Sequence, residues 1–305
     1  MKKRVIINII LVVFVLPIVL ELSAIFGVVS SSPNQMLFEL LFKKETENYD
    51  YVEFLDVGQG DSTLINSNGE VAVIDFGVVE DGDKIYKTLA RKNIKEISFA
   101  VITHHHSDHM GGFLRLAKKI KINTLLINNS SAADADKELY NEVIAVAKKQ
   151  KINLILPKEG SRFKIGNACL TLLKCNTSAE DENNRSIISL LEIYSKSFLF
   201  TGDCESGEEI SLIQSYNIMV DVLKLGHHGS KNASSEQLLN SINPQIAVAS
   251  CGYDNTYNHP SSDTLLRLKN RGIRVYRTDL NQNILFGFKR SETNQKITSF
   301  VKLGA

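Results

Sequence analysis

The chain has 305 residues, a formal net charge of +1, 43% hydrophobic and 23% charged residues. That balance excludes a disordered chain and a globally basic nucleic-acid binder, leaving only a local basic patch for such a role. Four cysteines without CxxC spacing (Cys169, Cys175, Cys204, Cys251) exclude a structural zinc knuckle. They read as reduced thiols, with a Cys169–Cys175 pairing left open for an oxidising environment.

The N-terminus begins with the basic Met1-Lys2-Lys3-Arg4, and 5–29 is almost continuously apolar, broken by Asn8, Pro17 and Glu21. Roughly 20 apolar residues suffice to cross a bilayer. Residues 1–30 are therefore expected to be a transmembrane anchor or a cleaved signal peptide. Either exports the remainder, as a membrane-anchored extracellular domain or a secreted one. Residues 31–49 read as a polar linker with one amphipathic piece over 36–43, and 50–305 as one folded domain.

Strands are expected over 51–57, 62–65 and 71–76, the last two joined by the hairpin signal Asn66-Ser67-Asn68-Gly69. A helix over 85–92 and a buried strand over 97–102 follow, then a helix over 111–120 with apolar Leu114, Leu116, Ala117 and Ile120. Next come a strand over 124–127, a helix over 133–149 and strands over 152–156, 162–165, 168–174, 186–194 and 197–201. Helices over 205–215, 235–242 and 261–270 alternate with strands over 220–225, 246–250 and 274–277. Strands over 284–289 and 296–302 close the chain. Two comparable halves of alternating strands and helices make this a layered α/β fold, in which ligands bind beyond the carboxyl ends of strands.

The polar clusters fall at such ends. Four of the seven histidines lie in Thr103-His104-His105-His106-Ser107-Asp108-His109, directly after the strand over 97–102. Imidazole and carboxylate crowded onto one turn suit a divalent transition metal. His104 and His106 are placed to hold one ion, Asp108 and His109 a second. The strand over 197–201 delivers Gly202-Asp203, whose carboxylate is expected to bridge two cations. The strand over 220–225 delivers Gly226-His227-His228-Gly229-Ser230, and Cys251-Gly252 leads to Asn258-His259-Pro260. The expected metal ligands are His104, His106, Asp108, His109, Asp203 and His227, although spacing leaves the choice between His227 and His228 open. Asp108, His228 and His259 are the candidate catalytic residues, the histidines as proton donors near neutral pH. Ser186 and Ser230 are candidate contacts to a substrate phosphate. The whole set is that of a one- or two-metal hydrolytic site activating water.

Phe54-Leu55-Asp56-Val57-Gly58-Gln59-Gly60-Asp61-Ser62, the His-x-His-x-Asp-His loop, Thr201-Gly202-Asp203 and Gly226-His227-His228-Gly229-Ser230 resemble, in that order, the metallo-β-lactamase superfamily. More narrowly, they are similar to the hydrolase domain attached to the ComEC-type DNA-uptake channel and to its free-standing relatives. The resemblance spans 51–290 and implies an αββα sandwich with the metal centre along one edge. Superfamily enzymes usually supply another histidine before the bridging aspartate, but none occurs here between His109 and His227. Asn183-Asn184-Arg185-Ser186 stands in its place, similar to the subgroup's Asn-x-Ser pattern. The first metal is therefore expected to be open-sided, weakly held, or completed by Asn184, water or substrate, with Asn184 otherwise a substrate contact. An amide oxygen suits Mn²⁺ or Mg²⁺ better than a third imidazole would, which leaves the ion open between Zn²⁺ and Mn²⁺. Asp75 matches the superfamily's early aspartate and is expected to orient a ligand histidine. The implied activity is metal-assisted hydrolysis of a phosphodiester, either single-stranded DNA or another extracellular diester such as a choline phosphate. The alternative is a degenerate fold serving as a DNA-binding or envelope interaction module without catalysis. No protein partner is indicated.

Overall fold

The hairpin signal at Asn68-Gly69 sets the first register. Both residues take positive φ (52° and 82°), as a tight hairpin turn requires, and they join β2 (Thr63–Ser67) to β3 (Glu70–Ile74). β1 (Tyr49–Phe54) pairs antiparallel with β2. The computed structural model of the chain describes residues 49–129, 131–290 and 297–304. The expected segment 1–30 and nearly all of the linker 31–49 lie outside them. No described helix is long and apolar enough to cross a membrane.

Beyond β3 the strands run parallel: β4 (Glu96–Val101), β5 (Lys121–Leu126) and β6 (Asn153–Ile155). Their crossovers carry α1 (Asp81–Arg91), the one-turn helices α2 (Ser107–Met110) and α3 (Phe113–Leu116), and α4 (Lys137–Lys149). The second sheet begins with antiparallel β7 (Arg162–Ile165), β8 (Ala168–Lys174), β9 (Ile188–Ile193) and β10 (Lys196–Phe200). It continues parallel through β11 (Val222–Lys224), β12 (Ile246–Ala249) and β13 (Arg274–Arg277), with α5 (Ser206–Ser215), α6 (Glu236–Ile242) and α7 (Ser262–Asn270) between them. A one-turn α8 (Thr278–Asn281) leads to β14 (Ile284–Arg290) and β15 (Ile297–Leu303), which return to the first sheet beside β1. The sheets thus hold eight and seven strands, in the orders β15-β14-β1-β2-β3-β4-β5-β6 and β13-β12-β11-β10-β9-β8-β7.

Three apolar layers follow from strand alternation. Val71 and Val73 of β3 face Ile85 and Leu89 of α1, which recur at helical spacing, and Val143 and Ala147 of α4. Ala72 and Ile74 face the opposite way, onto Phe198 and Phe200 of β10, Val222 and Val248. Leu199, Leu223, Ala247 and Ala249 pack on Leu212, Leu238, Leu239 and Leu268 of the second set of helices. Helix, sheet, sheet and helix therefore stack as an αββα sandwich. All four cysteines are free, Cys204 and Cys251 buried among the third layer.

Two expected helices are shorter than their apolar patterns, each because the backbone serves the His104–His109 loop. The helix expected over 111–120 is reduced to the single turn α3, with α2 a separate turn before Gly111 and Gly112. A Cβ on Gly112 would lie 2.0 Å from the Phe76 carbonyl oxygen and 2.9 Å from Gly82 N. The helix expected over 133–149 starts only at Lys137. Asp136 instead donates its backbone N–H to the His105 carbonyl (3.0 Å), and its carboxylate accepts from Ser107 N (2.6 Å). Helix propagation thus yields to loop anchoring where the sheet edge must hold a site.

Gly112→Ala should displace the Phe76–Gly77 backbone and cost about 2 kcal/mol or more by overpacking. A thermal scan is expected to show Tm lowered by roughly 4–8 °C. Wild-type Tm in this variant would contradict the close approach.

Candidate metal centre

Parallel strands present all their carboxyl ends along one edge of a sheet, and this fold sets two such edges together. β3 ends at Asp75, β4 at Thr103–His109, β10 at Thr201-Gly202-Asp203, β11 at Gly226–Gly229 and β12 at the loop 250–259. A cavity of about 490 Å³ opens there. Its lining includes Gln59, His106, Asp108, Asn183, Asp203, His227, His228, Tyr257 and His259.

Asp203, 2% exposed, sits at the centre. Its Oδ1 lies 3.3 Å from His109 Nε2, and its Oδ2 lies 3.4 Å from His228 Nε2. His228 Nε2 also lies 3.2 Å from Asp108 Oδ2. Ligand atoms of His104, His109 and Asp203 fall within 4.8 Å of one another, as do those of Asp108, His109 and His228. His104 Nε2 and His106 Nδ1 meet at 3.1 Å. The expected loop residues therefore come together with Asp203. His105 turns away: its backbone N–H donates to Glu182 (2.8 Å) and its Nε2 meets the Asn128 carbonyl at 3.1 Å.

Partners behind the rings decide which nitrogen faces the cavity. Asp75 Oδ2 takes His109 Nδ1–H at 2.9 Å, while Thr103 donates its backbone N–H (2.8 Å) and hydroxyl (2.7 Å) to the same carboxylate. His228 Nδ1 donates to the Ser250 carbonyl at 3.0 Å. Each arrangement frees Nε2, the pattern by which outer groups orient ligand imidazoles. Asp75 itself has φ 59°, an uncommon conformation for a non-glycine residue, so backbone strain is spent on aiming it.

The choice between the adjacent histidines is made by the backbone. His227 and His228 both take left-handed angles (φ 47° and 53°), which points their rings in different directions. His228 is 2% exposed and enters the clusters, whereas His227 lies on the rim with its Nε2 3.9 Å from Asp203. The geometry thus brings His228, and not His227, into the groups whose ligand atoms converge. Asn184 does not belong to the cavity lining. Its side-chain oxygen accepts from Glu205 N (2.9 Å) and its amide donates to Asp181 (2.8 Å), so it is committed to local structure. Its neighbour Asn183 lines the cavity, and Asn183 Oδ1 is buried with no hydrogen-bond partner.

The serines also differ from expectation. Ser186 Oγ accepts from Asp203 N (2.9 Å) and lies 3.2 Å from His104 Nδ1, so it braces two of these groups rather than reaching into the cavity. Ser230 Oγ accepts from Asn232 N (3.3 Å), a turn contact outside the lining. His259 does line the cavity, its ring 5.4 Å from that of His227. Burial, with the positive field of His227 second, lowers the His259 pKa to about 4.

Two residues of this centre carry no flag in the sequence reading. Asp61 Oδ1 lies 3.3 Å from His228 Nδ1, and its Oδ2 lies 2.6 Å from Lys224 Nζ, with both side chains nearly fully buried. Burial alone would raise the Asp61 carboxyl, but Lys224 foremost, then His228 and His109, carry it down to about 2. The Gly58-Gln59-Gly60-Asp61 turn was the available signal. Gly60 brings it against the metal loop, where a Cβ would lie 2.6 Å from the Asp108 carbonyl.

The donor set fits divalent cations. His109 Nε2, Asp203 Oδ1 and His228 Nε2 are buried without a hydrogen-bond partner although they face one another. Burial depresses imidazole pKa, yet Asp203 first, with the surrounding carboxylates, holds both His109 and His228 well above the usual range. A site that attracts protons onto such nitrogens attracts a metal ion in competition with them.

His228→Ala is therefore expected to lower bound Mn²⁺ or Zn²⁺ after dialysis far more than His227→Ala; equal losses would contradict the assignment. Lys224→Met leaves the Asp61 charge buried and unpaired, which should cost about 3–5 kcal/mol. Unfolding titrations should show much of that loss recovered in the Asp61→Asn/Lys224→Met double variant, and no recovery would refute the pairing.

Comparison with known proteins agrees with this architecture. Residues 55–253 match the profile of the Metallo-beta-lactamase superfamily. The chain is 28% identical over 258 residues to ComE operon protein 3 of Bacillus subtilis, covering 78% of this chain and 33% of that protein. It is 31% identical over 247 residues to competence protein ComA of Neisseria gonorrhoeae, covering 80% of this chain and 33% of that protein. The chain thus spans about a third of the length of these relatives. Among solved structures, the metallo-beta-lactamase fold protein YhfI from Bacillus subtilis superposes with a TM-score of 0.52 at 13% identity, over 84% of this chain and all of that one. That likeness bears on the fold alone. With the αββα layers, the strand-end histidines and aspartates and a family match covering most of the described residues, the chain belongs to the metallo-β-lactamase superfamily.

Proposed function

We propose that the chain is a metal-dependent phosphodiesterase. The observation that carries this reading is the convergence of buried, unpartnered His109 Nε2, Asp203 Oδ1 and His228 Nε2 on an open cavity. His104, His106 and Asp203 would hold one ion and Asp108, His109 and His228 the other, with Asn183 rather than a third histidine beside the first. Zn²⁺ and Mn²⁺ both suit such a mixed nitrogen and oxygen set. Such ions supply Lewis acidity and lower the pKa of a coordinated water toward neutrality.

The chain's own residues then divide the remaining work. Asp75 and the Ser250 carbonyl fix the imidazoles, and Ser186 braces Asp203 and His104. Asp108, with 28% of its side chain exposed, reaches the cavity and is the candidate acceptor for a proton from water. Burial keeps His259 neutral at neutral pH, so it acts as a hydrogen-bond partner to substrate rather than as a standing cation. The earlier expectation of His228 as proton donor gives way to a ligand role, because its free nitrogen already faces Asp108 and Asp203.

Electrostatics favours an anionic substrate. The three carboxylates lining the cavity, Asp108, Asp136 and Asp203, would be outweighed by two divalent ions held there, and such a loaded floor would attract a phosphodiester. Similarity to a protein named for competence, ComA of Neisseria gonorrhoeae, supports proposing DNA as the diester and an envelope setting for the reaction.

Bis-p-nitrophenyl phosphate, single-stranded DNA and a β-lactam, assayed side by side in Mn²⁺ and in Zn²⁺, test the reading. Diester cleavage is expected, lost on chelation and restored by metal. Asp203→Ala should lose more than the roughly 10–100-fold typical of removing an outer orienting partner. Cleavage of the β-lactam alone, or of nothing, would overturn the proposal.

A further inference from the structure

Large aromatic side chains are normally drawn inside, because leaving them in water forgoes their burial. Among the aromatics whose side chains are described, two are exposed, Tyr253 (80%) and Tyr257 (66%). Both lie on the loop 250–259 that walls the cavity, and Tyr257 belongs to its lining.

This loop is a built structure. The Asn255 side chain donates to the carbonyls of Gly252 (2.9 Å) and His259 (2.6 Å) and accepts from His259 N (3.0 Å). Gly252 N donates to Gln59 Oε1 (3.1 Å), and Ser261 N donates to the Gly229 carbonyl (2.9 Å), which ties the loop to the turn bearing His228. The Tyr257 ring stacks on His259 with centroids 5.9 Å apart and planes at 27°. His259 in turn meets His227 edge-on at 5.4 Å. An aromatic ledge thus runs from the rim of the metal centre outward and ends in a held, solvent-facing phenol ring.

We propose that Tyr257 is a stacking platform for a nucleobase next to the scissile phosphate, which makes the substrate a single-stranded nucleic acid. The inference rests on the phosphodiesterase reading above. An unpaired base offers a free π-face, whereas a duplex hides it, and base–aromatic stacking tolerates any sequence. A quaternary ammonium such as choline is instead recognised by several aromatic faces forming a cage. Here the ring contact of Tyr257 among the described residues is the offset stack with His259, and the ring is 66% exposed, which suits a stacking platform rather than a cage.

The test measures binding of a short single-stranded oligodeoxynucleotide to the full chain by fluorescence anisotropy at fixed salt, with single abasic sites placed along it. Tyr257→Ala should weaken binding by roughly 5- to 150-fold, the range for one stacked base. Tyr257→Phe and Tyr257→Trp should bind like wild type. One abasic position should weaken wild type by the same factor and Tyr257→Ala no further. Unchanged oligonucleotide binding in Tyr257→Ala, additive losses with every abasic site, or Tyr257-dependent competition by glycerophosphocholine would each overturn the stacking proposal. Failure to hydrolyse any diester, with the base coupling intact, would overturn the hydrolytic reading instead.

Discussion

The structure depends on compensating negative charge buried where the two sheets meet. Asp61, Asp75 and Asp203 are each at most 5% exposed, and an uncompensated carboxylate at such depth is strongly destabilising. Each has a different remedy. Lys224 neutralises Asp61, and Thr103 with His109 satisfies Asp75. Asp203 has only imidazoles that are themselves short of partners, His109 and His228. There the protein's own groups leave room for a cation.

The rest of the fold can be read as support for that arrangement. Parallel runs in each sheet bring five strand ends to one edge, and the crossover helices are cut short where their first residues brace the metal loop instead. Backbone strain is found there too. Asp75, His227 and His228 all adopt positive φ, and Gly60 and Gly112 permit approaches that a Cβ would block. Such conformations persist only where the surroundings over-determine them, and they mark functional sites more often than loops at large. The outward loop 250–259 extends the same economy, holding exposed Tyr257 by backbone ties rather than by burial.

Much of this was legible in the chain itself. Strand and helix order followed from apolar periodicity, and the His104–His109 turn with Asp203 announced a metal site before any geometry. What escaped was fixed by tertiary contacts. Spacing cannot show that two consecutive left-handed residues send His228 inward and His227 to the rim. Nor can it show that Asn184 is spent on Asp181 and Glu205 while Asn183 faces the cavity. The Asp61–Lys224 pair joins the turn after β1 to β11 of the other sheet, so the Gly58-Gln59-Gly60-Asp61 turn shows in the chain but its partner does not. Ser186 was placed near substrate because a hydroxyl suits phosphate, yet its actual neighbours are Asp203 N and His104.

The central claim is that Asp203, flanked by His109 and His228, is the focus of a divalent metal centre. Crystals grown with Mn²⁺ and measured at the manganese absorption edge test it most directly. The account predicts an anomalous peak about 2.0–2.2 Å from a carboxylate oxygen of Asp203, with His228 Nε2 among the ligands and His227 outside them. An absent peak at Asp203, or a metal held by His227 in place of His228, would contradict it.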